Sequence, residues 1–209
     1  MRYDPTKKFL DKIELQLDML MEDEDNAAKQ PDCFLSPEQM SEHYDKHYKE
    51  YLDAYKKAKR ELDSVSVANA DSNGGEYRSA CLDINFNYNA VLLHEIYFDC
   101  LGKKDMSKKF EEIINKFFRS KEDFFAILKA TCIASRGWAI VGLDLLDNSL
   151  NVSLVDSHNN QSPMWYPILA LDMFEHSYYI DYKSDKQEYI DNLLRDIDWE
   201  AVEKRYEKL

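Results

Sequence analysis

A chain of 209 residues, 44% of them hydrophobic, is long enough to bury one enzyme-sized core. Its formal charge of −13, from 27 basic and 40 acidic residues, opposes phosphate backbones and argues against nucleic acid as a partner. No run approaches the ~18–20 apolar residues of a membrane span, and Met1 to Lys12 is charged without the apolar centre of a signal peptide, so a cytoplasmic protein with no membrane association is expected.

Along residues 1–30 an amphipathic stretch (Phe9, Leu10, Ile13, Leu17, Leu20) fades into Glu22-Asp23-Glu24-Asp25, which predicts a short helix and a solvated linker. Ser36-Pro37-Glu38-Gln39 reads as an N-cap with Pro at the first helical position and Gln39 at the capping-box position, opening a helix to about Asp63. A turn-rich break from Val65 to Glu76 follows. A second apolar helix is predicted over residues 80–101, stopped by Gly102. Lys108 to Phe118 and Lys121 to Ala134 carry helical spacing, with Phe110, Ile113, Ile114, Phe117, Phe124, Phe125 and Leu128 as core residues.

The period then changes. Gly137 to Leu145 and Ser149 to Val155 read as strands joined by a turn at Asp147-Asn148, and Trp165 to Leu171 as a third. From Phe174 onward helical spacing returns. The order predicts an α+β protein: an N-terminal extension (1–33), a helical hairpin (34–103), and a C-terminal α/β portion (104–209) with a small three-stranded antiparallel sheet. The four cysteines lie far apart with no C-x-x-C pair, as reduced and mostly buried thiols do.

Chemistry gathers around the five histidines. His43 and His47, four apart on one helix, share a face that Tyr51 extends. His94 lies inside the apolar run Val91 to Phe98, where its imidazole must find a hydrogen-bond partner or bind something. Asp172 and His176 are four apart where a predicted strand ends; the plainer alternative is a capping Asp facing a core His. Three imidazoles and one carboxylate from three segments suit iron, manganese or zinc. The H-E-x-x-H helix of zinc proteases and the Glu-x-x-His pairs of di-iron bundles are both absent, which leaves a mononuclear site.

At the level of motifs the chain resembles the iron/manganese superoxide dismutase family. Ser41 to Tyr51 resembles its first-ligand helix, H-x-x-K-H-H-x-x-Y, and His94 to Leu101 its second-ligand motif, N-H-x-x-Y/F-W-x-x-L. Arg136-Gly137-Trp138-Ala139 is similar to S-G-W-x-W, Asp172 to Tyr182 to D-V-W-E-H-A-Y-Y-x-x-Y, and Asp198 to Val202 to N-W-x-x-V. The matches keep family order over about residues 34–207.

The resemblance implies superoxide as substrate, one iron or manganese ion per subunit, and His43, His94, Asp172 and His176 as ligands with a solvent molecule as the fifth. It implies Tyr51 as the gateway tyrosine, His47 as the histidine behind it, and Trp138 as an aromatic wall. Glu175 and Tyr179 match residues that bond across a homodimer interface, to the partner's ligand histidine and to its His47; a tetramer is the other assembly. His158 falls where manganese members carry a glutamine that hydrogen-bonds the bound solvent, and Ala90 where many iron members carry theirs. Phe174, Ile140 and Phe98 replace family tryptophans and Leu93 an asparagine, which leaves a catalytically impaired structural relative as one alternative. A zinc hydrolase using Glu175 or His158 as base is another. Lys46 and Lys183 are candidates for steering the anion locally, or else ordinary surface lysines.

Overall fold

Ser36 opens the first helix of the computed structural model, which describes residues 33–208. Its hydroxyl accepts from the Gln39 N–H at 3.1 Å, and Pro37 fills the first turn, where a missing N–H costs nothing. Helix α1 continues through an α-helical turn (Pro37–Ser41), a π-helical stretch (Glu42–Tyr48) and a regular segment (Lys49–Ser64). The π-helical stretch is absent from the sequence-based expectation; such i→i+5 turns gather at functional sites. The capping box also needs correction. Gln39 does not turn back to Ser36, whose N–H instead donates to Asp181 Oδ2 at 2.7 Å; its side chain reaches across to the segment after Asp172. The helix and linker expected over residues 1–30 lie outside the described residues.

Gly75, at φ +91°, leads into α2 (Glu76–Asp99), which packs along α1 and ends just before Gly102 at φ +129°. Helices α3 (Lys108–Phe118) and α4 (Lys121–Ala134) fall where their spacing placed them, each capped by a serine, Ser107 and Ser120. Phe110, Ile114, Phe124 and Leu128 are buried, and Ile113 and Phe125 pack against them. Phe117 departs from the core assignment: it is 40% exposed, on the outer side of its short helix.

Strands β1 (Trp138–Asp144), β2 (Leu150–Val155) and β3 (Trp165–Asp172) form an antiparallel sheet in the order β2-β1-β3. The β1–β2 turn puts Asn148 at φ +59°, with the Ser149 N–H donating to Asp147 Oδ1. Register pairs Trp138 with both Val155 and Asp172, so the first residue of the central strand lies beside the last residue of β3. Gly137 is required just before it, because a Cβ there would come within 2.6 Å of the Val155 carbonyl oxygen.

The helical pattern after Phe174 resolves into a 3₁₀ turn (Glu175–Ser177), a short helix α5 (Tyr179–Tyr182), α6 (Lys186–Asp196) and α7 (Trp199–Glu207). Helices α2 and α7 pack on β3, α4 packs on β1 and β2, and α6 packs on α4. The core they enclose includes Leu93, Tyr97, Trp138, Leu169, Leu171, Met173 and Tyr189. Among the described residues no helix is long and apolar enough to cross a membrane.

Candidate metal centre

Four elements each bring one side chain to a common point: His43 from the π-helical stretch of α1, His94 from α2, Asp172 from the end of β3, and His176 from the 3₁₀ turn. One donor atom from each lies within 4.8 Å of all the others. Asp172 Oδ2 is 3.2 Å from His43 Nε2, 3.6 Å from His94 Nε2 and 3.1 Å from His176 Nε2. His43, His94 and Asp172 are fully buried, and His176 keeps 15% of its side chain exposed.

The hydrogen bonds of this cluster leave room for a cation. His94 Nδ1 lies 2.7 Å from the Ala90 carbonyl, which only accepts, so the ring proton sits on Nδ1 and the Nε2 lone pair faces the Asp172 carboxylate. Lone pair against anion is repulsive unless positive charge lies between them. His94 Nε2 and both nitrogens of His43 are buried without a hydrogen-bond partner, an arrangement that costs stability until something binds there. Three imidazole nitrogens and one carboxylate oxygen fit iron or manganese, and zinc by ligand type alone.

Electrostatics agree with this geometry. Burial pushes His94 far below its ordinary pKa, with His43 adding to the effect, and burial lowers His43 although Asp172 opposes it. Burial alone would raise Asp172, but the positive charge and hydrogen bond of His176 and the nearness of His43 override it and hold the carboxyl well below its usual range. For His176 burial is likewise outweighed by Asp172, and its pKa rises. His43 and His94 are therefore held neutral beside a carboxylate, the protonation state a ligand requires, whereas His176 is held toward its protonated form and would release that proton on taking up an ion.

Around the cluster the expected neighbours assemble. The rings of His47 and His176 stack 4.5 Å apart. The Tyr51 ring is 5.3 Å from that of His94 and 4.9 Å from that of His158. Trp138, fully buried, stands edge-on to His94 at 5.0 Å, and its indole N–H donates to His158 Nδ1 at 3.0 Å. Phe174 stacks on His176 and also contacts His158, while Phe98 packs edge-on against His43, so phenylalanines line these walls. Ile140 is buried on β1 and borders a cavity of about 300 Å³ with Leu154 and Trp165. Glu175 and Tyr179 face outward, Tyr179 being 49% exposed. Lys46 pairs with Glu42, and Lys183 Nζ donates to the Ile180 carbonyl at 2.6 Å.

Three residues that sequence reasoning did not connect with the site join it here. Phe86 packs 4.8 Å from His158, Tyr189 donates its hydroxyl to the Asp172 carbonyl at 2.8 Å, and Gln39 bonds the backbone around His176. For Phe86 a signal existed: it lies eight residues before His94 and four before Ala90, on one face of α2. Tyr189 and Gln39 act on backbone groups far away in sequence, which no local pattern marks.

Comparison with known proteins agrees with the site. The family model "Iron/manganese superoxide dismutases, alpha-hairpin domain" matches residues 25–102, and "Iron/manganese superoxide dismutases, C-terminal domain" matches residues 106–205. The iron superoxide dismutase of Aquifex aeolicus is 37% identical over 182 residues, covering 83% of this chain and 85% of that protein. A manganese superoxide dismutase of Halobacterium salinarum is 29% identical, covering 83% and 88%, and a manganese/iron superoxide dismutase of Aeropyrum pernix is 28% identical, covering 84% of each. With both domains matched in order and a buried His-His-Asp-His cluster where one ion fits, this chain belongs to the iron/manganese superoxide dismutase family, enzymes that use one iron or manganese ion per subunit.

Proposed function

We propose that the chain disproportionates superoxide to oxygen and hydrogen peroxide at one iron or manganese ion held by His43, His94, Asp172 and His176. The observation that carries this reading is the buried cluster itself, in which His94 Nε2 aims a lone pair at a carboxylate with no proton between them. An ion held there would supply the reversible one-electron chemistry that superoxide disproportionation requires.

The protein's part is to hold protons where the second superoxide needs them. Tyr51 keeps its phenolic proton, because burial and then the charge of Asp172 raise its pKa. Burial pushes His158 down to about 4, so its ring is neutral at pH 7. With Nδ1 accepting from Trp138, the remaining proton is on Nε2, which makes His158 a donor. Tyr51 and His158 are thus adjacent donors, and His47, its pKa lowered by burial and by His176, completes the catalytic group. Trp138, Phe86 and Phe174 pack around His158, which is buried. Glu175 and Tyr179, exposed on the segment that carries His176, are assigned to a two-fold contact with a second copy.

Loading the full chain separately with iron and with manganese, then measuring metal content and superoxide consumption, tests the reading. About one ion per chain with superoxide consumption in at least one form is expected. One bound ion without consumption in either form would overturn the activity and favour a metal-binding relative whose phenylalanine walls at Phe174 and Phe98 have cost it turnover.

A further inference from the structure

Gln39 is fully buried one helical turn before His43, and both ends of its carboxamide are committed to the segment that carries His176. Its Nε2 donates to the His176 carbonyl at 2.6 Å, and its Oε1 accepts from the Ile180 N–H at 3.0 Å. A carbonyl can only accept and a backbone N–H can only donate, so the orientation of the amide is fixed by its partners. The first bond joins residues 137 apart in the chain.

The position of His176 depends on such a tie. Asp172 lies at the end of a paired strand, and His43 and His94 project from long helices, whereas His176 sits in a three-residue 3₁₀ turn and is the least buried of the four. Its ring must nonetheless meet two side chains of α1, lying 5.0 Å from His43 and stacked on His47 at 4.5 Å. Local bonds, from the Phe174 N–H to Asp172 Oδ1 and from the Ser177 hydroxyl to the Asp172 carbonyl, shape the turn but do not locate it against α1. Gln39 does, because it leaves from the same helix face that delivers His43.

We propose that Gln39 is a positioning residue of the metal centre: by holding the His176 carbonyl and the Ile180 N–H it sets where the His176 imidazole stands relative to His43, and so governs how tightly the ion is retained. The inference rests on the metal-binding part of the function proposed above. Two substitutions separate its components. Gln39→Glu keeps an acceptor for Ile180 and replaces the donor to His176 with a second acceptor, while Gln39→Met keeps the volume and removes both bonds.

Chelator competition with manganese(II) on the full-length chain, together with the visible absorption of the iron-loaded form, measures the effect. Both variants are expected to bind manganese about 10- to 100-fold more weakly than the parent, the usual scale for loss of an outer hydrogen bond at a metal site, and to shift the iron absorption band. Unchanged manganese affinity and an unchanged iron spectrum in either folded variant would overturn the assignment, even if its metal-free form melts at a lower temperature, since a merely structural glutamine would do only that. A parent chain that binds manganese but consumes no superoxide would refute the proposed activity and leave this comparison intact, because affinity and turnover are read separately.

Discussion

His158 differs from the three clustered imidazoles in that one of its nitrogens accepts a proton donor, the indole N–H of Trp138. Glutamine can reproduce that pattern, accepting through its oxygen and donating through its amide, so His158→Gln is expected to keep the fold and the metal content. It should change the ratio of iron-form to manganese-form activity by about 10-fold, because outer hydrogen bonds tune a bound metal without altering its ligands. Equal ratios in variant and parent, measured on both metal forms, would remove His158 from the site. Glu95 makes a different residue-scale prediction. It is half-buried between the hairpin helices and accepts from the Tyr48 hydroxyl at 3.0 Å, and burial pushes its carboxyl up to about 7 despite that bond. From the ordinary value of 4.5 up to about 7 the folded chain therefore keeps a proton that the unfolded chain releases. Stability is unpenalised below that window and declines as pH rises through it. Glu95→Gln, which stays neutral, is expected to stabilise the protein at pH 8 by on the order of 2 kcal/mol and to give no gain below about pH 4.5, as read from urea unfolding at the two pH values.

At the scale of elements, one side chain joins three of them. Arg205 of α7, 9% exposed, donates to the Ile168 carbonyl of β3 at 2.6 Å and to Cys100 Sγ at the end of α2 at 3.1 Å, and it also pairs with Asp99. Because the side chain of Asp99 is 66% exposed and can be rehydrated, the main loss in Arg205→Met is the charged bond to a buried carbonyl, about 2 kcal/mol, measurable as a lower urea midpoint. An unchanged midpoint would mean that the guanidinium does not tie these elements. The elements themselves were largely legible in the sequence where a period was strong. Helices α3 and α4 and the three strands fall within a residue or so of their expected ends, since apolar spacing and a turn at Asp147-Asn148 are local signals. What escaped was set by tertiary contact: the π-helical stretch at Glu42–Tyr48, the outward turn of Phe117, and the use of Gln39 as a clamp instead of a capping-box partner. The metal cluster was legible through motif resemblance more than through spacing. A four-residue interval puts His43 and His47 on one face, but only the fold brings His94 and Asp172 to them.

For the whole molecule, the segment after β3 has two faces: His176 turns toward the cluster while Glu175 and Tyr179 remain exposed. A two-fold dimer that covers this face is expected, and Tyr179→Ala should move the chain toward monomer in analytical ultracentrifugation; a parent that is already monomeric at micromolar concentration would contradict it. The charge of −13 cannot itself attract an anionic substrate, and Lys46, paired with Glu42, offers little unbalanced positive charge to do so. All of this depends on one ion occupying one place. A crystal of manganese-loaded protein, with anomalous scattering recorded at the manganese edge, measures that directly. One peak per chain is predicted, ~2.0–2.2 Å from Nε2 of His43, His94 and His176 and from Asp172 Oδ2. A peak held by other residues, or no peak among these four from a sample that contains stoichiometric manganese, would contradict the account.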